Sequence, residues 1–292
     1  MDYIFNILVF ILIYAVWVQS LNLIMGYVGV ISMGHAIFSG IGAYTAALIS
    51  VHLGYHFLVG TVAGFLLATV VGALLAIPSL RVRDEYLIVF TVGFQMVAYE
   101  FMITARGITE GQGGIPNIPS PQLFGLAFNS PLTCLPLALV TTAICFAIVW
   151  RLVNSPFGRV LKAIREDETA VQALGKNVYR FKMWSLIIGS AMAGLAGSLF
   201  AHYITFIDPS SFVMWQTFFI FLIVVLGGLS NNLGAVVMTV VFVAFREGLR
   251  FVGLPDWLNP AALQQLIFGV LLIVAMLFVP RGLIPERKVI YK

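Results

Sequence analysis

Long apolar runs alternate with short polar stretches along most of the chain. Runs of about 20 apolar residues are long enough to cross a membrane as helices, and nine are predicted here. They cover residues 4–25, 28–50, 57–78, 86–104, 132–151, 183–204, 213–229, 233–251 and 262–279. A helix surrounded by lipid and protein loses its polar face, which hides the helical period. The pattern predicts an all-α polytopic membrane protein with about eight to ten transmembrane helices.

The second apolar run, residues 28–50, is the least regular of the nine. It contains Ser, His and Thr, and we predict that Gly34, Gly40 and Gly42 break its helix, because glycine lowers helix stability. A break inside a membrane frees backbone N–H and C=O groups that then need polar partners. The run is therefore predicted to form a broken second helix.

Small residues recur every four positions in two other runs. They are Gly60, Gly64, Ala68, Gly72 and Ala76 in the third run, and Gly189, Ala193, Gly197 and Ala201 in the sixth. Positions four apart lie on one face of a helix, and small residues there let neighbouring helices approach closely in lipid. The two stripes predict tight helix packing.

Composition agrees with a membrane protein. Hydrophobic residues make up 61% of the 292 positions and charged residues 10%, against about 45–50% and about 25% in soluble domains. The net charge of +4 does not indicate nucleic-acid binding, because basic residues cluster beside the apolar runs, where a cytoplasmic bias places them. Cys134 and Cys145 lie in one apolar run and are interpreted as small core residues, not as a disulfide or a metal pair.

The basic residues also predict which side of the membrane each connection faces. They concentrate at 79–85, at 151–182 and in the C-terminal tail, and even numbers of runs separate these segments. We therefore predict that all three, including the C-terminus, are cytoplasmic and that the N-terminus lies outside, provided that the second run fully crosses the membrane. Arg246 and Arg250 run against this scheme, because they lie toward the outer end of the eighth run, although Glu247 beside them offsets part of the charge.

A charged segment, Arg151 to Lys182, interrupts the apolar pattern and holds seven of the sixteen Lys and Arg residues. Ser155 before Pro156 is typical of a helix start, since a hydroxyl caps the helix and proline suits its first turn. Asp167 is predicted to cap a second short helix that ends at Gly175. The segment therefore predicts two short helices at one membrane surface.

The first of these helices is predicted to be amphipathic. Val160, Leu161 and Ile164 form an apolar stripe. The opposite face carries Arg159, Lys162 and Arg165. Such a helix either rests on anionic lipid or fits a groove of a soluble partner. The acidic run Glu166–Glu168 favours a partner, because a helix that binds only lipid has a basic polar face.

Few residues suggest chemistry. The chain has no phosphate-binding G-x-x-x-x-G-K-[ST] loop, so we do not expect it to hydrolyse ATP by that route. Its four histidines form no metal-binding pattern with nearby carboxylates or thiols, and no Ser/His/Asp set can be recognised. A hydrolytic or redox enzyme is therefore disfavoured, and we expect no catalytic residue, metal or bound cofactor in this chain.

Several motifs occur in a fixed order along nearly the whole chain. They are SMGHAIFSGIGAY at 32–44, SPFGR at 155–159, KAIRE at 162–166, ALG at 173–175, AGLAG at 193–197, DP at 208–209, VVLGGL at 224–229 and PRGL at 280–283. Each is weak alone, but the ordered set resembles the LivM/LivH-type permeases, the membrane subunits of ABC importers for branched-chain amino acids. The resemblance is closer to LivM, chiefly through Arg165–Glu168 and the 280–283 motif.

The resemblance implies an ABC importer permease fold, with residues 1–292 as a single membrane domain and residues 152–182 as a cytoplasmic coupling segment. It implies a homologous permease subunit as partner, giving a heterodimer, together with two ATPase subunits and an extracytoplasmic solute-binding protein. ATP and Mg²⁺ would bind to the ATPase subunits and not to this chain. The expected location is the inner or plasma membrane of a bacterium or archaeon, in contact with lipid and without nucleic acid.

The resemblance also assigns candidate site residues. The predicted translocation pathway comprises Ser32, Gly34, His35, Gly40, Gly42, Tyr44 and Glu100. The predicted ATPase-coupling residues are Gly158, Arg159, Ala163, Arg165, Glu166, Glu168 and Gly175. Gly227 and Gly228 are predicted to form a tight turn or a gate. Two structural alternatives stay open: His35 binds backbone groups freed at the helix break, and Glu100 pairs with Arg106.

Two departures from the family pattern leave other substrates open. Residues 230–232 read SNN after the Gly–Gly pair, and the outer loop reads TEGQGG at 109–114. The alternative substrates are urea, short amides or another small polar solute. An ion-coupled secondary transporter is the alternative from a different class, and it requires ionisable residues inside the membrane, of which the runs contain almost none.

Overall fold

The computed structural model describes residues 2–79, 84–123, 126–248, 260–278 and 282–283, and helices occupy all nine predicted runs. The helices are α1 (Asp2–Leu21), α2 (His35–Val51), α3 (Phe57–Ser79), α4 (Asp84–Thr104), α5 (Arg106–Thr109), α6 (Pro131–Asn154), α7 (Pro156–Glu166), α8 (Glu168–Ala173), α9 (Val178–Ile204), α10 (Met214–Gly227), α11 (Asn232–Gly248) and α12 (Pro260–Phe278). Short turns of 3₁₀-helix cover Gly111–Gly113 and Pro209–Phe212, and a hairpin of two-residue strands pairs β1 (Gln122–Leu123) with β2 (Leu126–Ala127).

Six of the described helical stretches are long and apolar enough to cross a membrane. They are Asp2–Tyr27, Phe57–Pro78, Tyr86–Thr104, Pro131–Asn154, Val178–Ile204 and Pro209–Gly227. Helix α2 is apolar but shorter, and α11 and α12 occupy the last two predicted runs. The predicted all-α polytopic class is confirmed, and the chain is a multi-pass membrane protein.

The predicted break in the second run is confirmed, and it lies before the helix. Helix α1 continues as a π-helical turn, Asn22–Tyr27, and residues 29–34 are then irregular up to the start of α2 at His35. The prediction that Gly40 and Gly42 also interrupt the helix is wrong, because α2 runs through both without a break. Their small size serves close packing instead of unwinding.

Helices α2, α3 and α9 pack backbone to backbone, and we call them the helix triad. A Cβ atom added at Gly42 would lie 2.0 Å from the carbonyl oxygen of Gly194, and one at Gly197 would lie 1.9 Å from that of Ser39. Real atoms do not approach so closely, so only glycine fits at these crossings. The tight packing predicted from the two small-residue stripes is confirmed.

Helices α1, α10, α11 and α12 form a second region, which we call the aromatic region. The ring centroids of Phe219 and Phe268 are 5.0 Å apart, and those of Phe242 and Phe268 are 4.8 Å apart. Such separations are those of favourable aromatic pairs. Around these rings the helix contacts are made by large side chains. The backbones of α10 and α11 come close at the end of the region where the two helices are joined, at Gly227 and Gly234.

Long-range contacts define two ends of the bundle. At the basic end, which carries α7 and α8, Arg165 reaches the carbonyl of Gly26, and the backbone N–H of Leu283 donates to Leu226. At the opposite end, the Tyr3 hydroxyl near the start of α1 bonds to Glu247 near the end of α11. Residue 283 therefore shares an end with α7 and α8, while α1 begins at the other.

Some predictions fall outside the described residues. These include Arg81 and Arg83 of the first basic connection, Arg250, the first two residues of the 280–283 motif, and the basic tail after that motif. Cys134 and Cys145 are described, and both are buried free thiols. Their predicted role as core residues is confirmed.

Candidate functional site

The start of α2 lies inside the bundle, where its first backbone N–H groups have no helical partners. The N–H of Ala36 donates to the Thr217 hydroxyl at 2.9 Å, and the N–H of Met33 donates to the Thr91 hydroxyl at 3.1 Å. Both threonines are buried and come from other helices, α10 and α4. The break is therefore stabilised by side chains that converge on it from distant parts of the chain.

Gln95 of α4 supplies the third of these contacts. Its side-chain oxygen accepts from the backbone N–H of Ile37 at 3.1 Å, and its side-chain nitrogen donates to the carbonyl of Phe212 at 2.7 Å. The side chain is 1% exposed, so both bonds form in a site closed to water. Gln95 therefore joins the broken segment to the short turn that precedes α10.

His35 is fully buried at this helix start. Its Nε2 atom lies 2.7 Å from the Ser20 hydroxyl of α1, and its Nδ1 atom has no hydrogen-bond partner among the described residues. The alternative that His35 binds backbone groups freed at the break is wrong. Those N–H groups donate to the side chains of Thr91, Gln95 and Thr217. His35 instead joins α1 to α2 by a side-chain contact.

The predicted pathway residues separate into a cluster and outlying positions. Ser32, Gly34 and His35 lie together at the helix start. The cleft beside Ser32 and Gly34 has a volume of only about 10 Å³, about the least space that holds one water molecule. Tyr44 lies further along α2, with its ring 6.2 Å from that of Phe212, and Gly40 packs against Phe212 as well.

Glu100 is not part of this cluster. It is exposed near the end of α4, where its backbone carbonyl accepts a hydrogen bond from the Thr104 hydroxyl. The predicted pairing with Arg106 is wrong, since no ion pair joins these two described residues. Arg106 instead packs along Gly111 in the loop that follows. Burial at the cluster and exposure at Glu100 place them in different environments.

Helices α7 and α8 begin and end as predicted. The Ser155 hydroxyl accepts from the N–H of Gly158 at 3.4 Å, and a carboxylate oxygen of Asp167 accepts from the N–H of Ala170 at 3.0 Å. The Thr169 hydroxyl and this N–H hold the pKa of Asp167 below its ordinary value, because both bonds favour the ionised carboxylate. Gly175 follows α8 with a φ of +74°, a conformation that glycine adopts without strain.

The apolar side of these two helices rests on the membrane domain of the same chain. Leu161 and Ile164 are buried, as is Val171 of α8. Gly158 packs so closely that an added Cβ would lie 2.1 Å from the Val153 carbonyl oxygen. The apolar stripe is therefore buried against other parts of the same chain, and the polar side of the two helices faces outward.

Arg165 faces the bundle, which corrects its predicted place on the outer polar face. Its Nη1 atom donates to the carbonyl of Gly26 at 2.9 Å and to the Ser230 hydroxyl, and its Nη2 atom donates to Glu166 at 2.9 Å. The reason is helical spacing, because Arg165 follows the buried Leu161 by four residues and so shares its face. Arg165 connects α7 to the ends of α1 and α10.

The other predicted coupling residues divide between an inner and an outer set. Glu168 is held inward by Lys182, whose Nζ atom lies 2.6 Å from its carboxylate, a pairing that the sequence did not reveal. The exposed members are Arg159, Ala163, Glu166 and Gly175. Together these four give the basic end an outward surface of mixed charge, and we call it the outer face of α7–α8.

The predicted turn at Gly227 and Gly228 is confirmed. Gly228 has a φ of +101°, and Ser230 also has a positive φ, of +64°. A Cβ atom at Gly227 would lie 2.7 Å from the carbonyl oxygen of Gly234, so α10 and α11 nearly touch where they leave the turn. The turn places Ser230 against Arg165. Its role as a gate stays a prediction.

Comparison with known proteins identifies the fold's relatives. A family described as "branched-chain amino acid transport system / permease component" matches residues 3–276. The permease LivM of Escherichia coli K12 belongs to a high-affinity branched-chain amino acid transport system and is 31% identical to this chain over an alignment 300 positions long. The alignment covers 95% of this chain and 69% of that protein. A probable LivM of Methanocaldococcus jannaschii is 29% identical over an alignment 336 positions long, which covers 99% of this chain and 95% of that protein.

More distant similarity extends to other import permeases. The autoinducer 2 import permease LsrC of Yersinia pseudotuberculosis is 25% identical over 249 residues, 82% of this chain and 64% of LsrC. No solved structure matches the chain. Because the family match covers nearly the whole bundle, the chain belongs to the branched-chain amino acid transport permease family, and within it the chain is similar to LivM.

Proposed function

We propose that this chain is the permease subunit of an ATP-driven ABC importer for branched-chain amino acids. The support is the family match over residues 3–276 and the LivM relatives, which are permeases of branched-chain amino acid transport systems. Its partners are a homologous permease subunit, two ATPase subunits and an extracytoplasmic solute-binding protein. ATP and Mg²⁺ bind to the ATPase subunits, where hydrolysis occurs.

The coupling role is supported by the way in which α7 and α8 pack on the helix bundle. Their apolar side is buried on the bundle, and their outer face presents Arg159, Ala163 and Glu166. A helix held only by lipid would bury its apolar stripe in the bilayer. Here the outward surface carries both signs of charge, which suits a groove on a soluble ATPase better than an anionic membrane.

Arg165 supplies a route for force from this outer face to the bundle. It binds the carbonyl of Gly26 at the end of α1 and the Ser230 hydroxyl in the α10–α11 turn. Its side chain also packs on Gly29, at the start of the irregular segment that leads to His35. Movement of α7 by the ATPase would therefore displace the segment on which α2 begins.

Alternating access follows from this arrangement if the helices around the start of α2 separate. The cleft beside Ser32 and Gly34 is closed here, at about 10 Å³. Three buried polar atoms of α2 have no hydrogen-bond partner among the described residues: Nδ1 of His35 and the hydroxyls of Ser39 and Tyr44. Unpaired buried polar atoms are costly, and opening the bundle would let them bind a polar solute.

The membrane orientation completes the proposal. The basic end carries the charged segment 151–182, and Leu283 lies at the same end. From the preference of Lys and Arg for the cytoplasm, we infer that this end and the C-terminus lie inside the cell. The opposite end, where α1 begins, then faces the solute-binding protein. The apolar outer surfaces of α3, α4 and α6 contact lipid or the second permease.

The test is uptake of radiolabelled L-leucine into proteoliposomes that contain the whole complex and its binding protein. Uptake should require ATP inside the liposome and persist when ion gradients are abolished. Arg159→Glu should lower ATP-driven uptake about tenfold, as expected for a reversed charge at a docking surface. Arg151→Glu, an exposed arginine at the same end but outside residues 152–182, should stay near the wild-type rate.

Other outcomes would contradict specific parts of the proposal. Uptake that needs an ion gradient and no ATP would refute the ABC mechanism. ATP-driven uptake of urea, a short amide or a sugar would refute the substrate class if leucine, isoleucine and valine do not compete with it. Because the chain is also similar to LsrC, this control should be run first. Normal coupling in Arg159→Glu would refute docking on the outer face of α7–α8.

A further inference from the structure

A cavity of about 210 Å³ lies between α1, α9, α10 and α11 at the opposite end of the bundle. A second cavity, of about 150 Å³, lies beside it toward α12, and the two share Gln216 and Arg246 as lining residues. Each water molecule occupies about 30 Å³ in the liquid, so the larger cavity corresponds to about seven water molecules. That is room for a small organic solute.

Arg246 is the residue that makes this cavity unusual. Its guanidinium donates to the Tyr14 hydroxyl at 3.1 Å and lies 5.8 Å from the ring centre of Phe219. No carboxylate lies within ion-pair distance of Arg246 in the part of the chain that the structure describes. A permanent charge near the end of a membrane helix is costly unless an anion or water balances it. Arg246 forms no ion pair with a described residue, so its guanidinium can bind the carboxylate of a ligand.

Arg246 does not simply extend to the membrane surface. Long basic side chains near helix ends often reach outward to water or lipid headgroups. Here the guanidinium turns inward, onto Tyr14 and Phe219, which are side chains of two other helices. The inward direction places the charge on the cavity wall, where a ligand can meet it.

The remaining walls provide one anion and one apolar surface. Glu247, whose carboxylate accepts a hydrogen bond from the Tyr3 hydroxyl at 3.1 Å, lines the same cavity. Phe10, Phe200 and Val243 also line this cavity. A cation, an anion and an apolar wall around one small volume match a solute that has a carboxylate, an ammonium group and an aliphatic side chain.

We propose that this cavity binds a zwitterionic aliphatic α-amino acid, with its carboxylate on Arg246, its ammonium group toward Glu247 and its side chain on the apolar wall. The inference rests on the proposed function, and it adds a docking site in the permease itself. The cavity lies at the end opposite α7 and α8, which is where the solute-binding protein would release its cargo. The site is separate from the closed cluster around His35.

The first test measures access to the cavity in the assembled transporter in nanodiscs. Ser211→Cys places a thiol on the cavity wall, in a chain that also carries Cys134→Ala and Cys145→Ala, and maleimide labelling is followed by intact mass. L-leucine should slow labelling about tenfold. Isoamylamine, which lacks the carboxylate, and 4-methylpentanoate, which lacks the ammonium group, should protect weakly or not at all.

The second test removes the cation. Arg246→Gln should abolish the protection by L-leucine and lower ATP-driven leucine uptake about tenfold, the size expected when a charged ligand loses its partner. The matched control is Arg106→Gln, an exposed arginine near the same end but outside the cavity. It should leave both protection and uptake near wild type.

The outcomes separate this inference from the proposed function. If the wild-type complex imports leucine at the expense of ATP but leucine does not protect the Ser211→Cys thiol, the docking site is refuted and the importer stands. Equal protection by leucine and both analogues also refutes the docking site. This comparison uses the Ser211→Cys protein alone, so it remains informative even if the Arg246→Gln variant does not fold. If the wild-type complex imports no leucine, the proposed function fails.

Discussion

The helix triad and the aromatic region are built on different contacts within one bundle. In the triad, α2, α3 and α9 touch through glycine and other small residues, and a Cβ added at Gly42 would meet backbone at 2.0 Å. In the aromatic region, Phe219, Phe242 and Phe268 separate the helices, and two cavities remain beside them. Both regions are apolar, so hydrophobicity alone does not distinguish them.

The difference shows where such a bundle can change shape. Backbone contacts leave no space to fill and no rotamers to exchange, so the triad is expected to move as a unit. Large side chains around cavities can repack, and Arg246 places a positive charge on the wall of one of these cavities. The frame and the adjustable part of the molecule are therefore separate sets of helices.

The largest effect should come from adding bulk inside the triad. Gly42→Leu should prevent folding in the membrane, because its side chain meets the Gly194 backbone and cannot rotate away. Gly93→Leu, at a helical glycine of α4 with open space around it, should fold normally. Fluorescence-detected size-exclusion chromatography of both variants measures this, and a monodisperse Gly42→Leu protein would contradict the rigid triad.

A smaller loss should follow removal of a buried polar contact in the aromatic region. Asn232→Leu deprives the Tyr27 hydroxyl, at 3.0 Å, and the Asn22 amide, at 3.3 Å, of their shared acceptor, at a cost of about 2 kcal/mol. Asn154→Leu alters an asparagine that is exposed and bonds to its own helix, so it should have little effect. Thermal unfolding in detergent ranks the two, and equal melting temperatures would contradict the prediction.

A further loss, of about 1 kcal/mol in the free energy of unfolding, is expected for Thr217→Val. This change removes the hydroxyl that accepts from the N–H of Ala36 at the start of α2. Thr239→Val is the matched control, since this buried threonine donates to the carbonyl of Ala235 in its own helix. Hydrogen exchange at Ala36 and Ile37 should accelerate in Thr217→Val alone. Unchanged exchange would mean that α10 does not hold the break in α2.

The smallest effect is expected where the aromatic region has space. Val243→Leu adds one methylene toward the larger cavity and should shift the melting temperature by less than about 2 °C. Ala193→Val enlarges a fully buried residue of the α9 stripe and should lower it by several times as much. A reversed order would show that the two regions do not differ in packing.

Local sequence signals predicted much of the molecule. The nine apolar runs, the caps at Ser155 and Asp167, and the close packing of the small-residue stripes were all predictable, because each depends on neighbours within a few turns. Arg165 could also have been placed inward, since it follows the apolar Leu161 by four positions. The helix period carried that information.

The polar partners of the broken segment could not be predicted in the same way. Thr91, Gln95 and Thr217 resemble other polar residues in apolar helices, and nothing near them in sequence marks them as caps for α2. The contact from Thr217 to Ala36 spans 181 positions. Only the packing of α4 and α10 against α2 brings these groups within bonding distance.

The sequence by itself determined that the chain crosses a membrane several times and carries two capped helices at one end, because composition, apolar length and capping act locally. The tertiary structure decided which polar groups meet. It turned Arg165 inward to Gly26, turned Arg246 onto a cavity wall, and left the outer face of α7–α8 exposed. Burial makes polar groups find partners, but the identity of a partner depends on how distant helices pack.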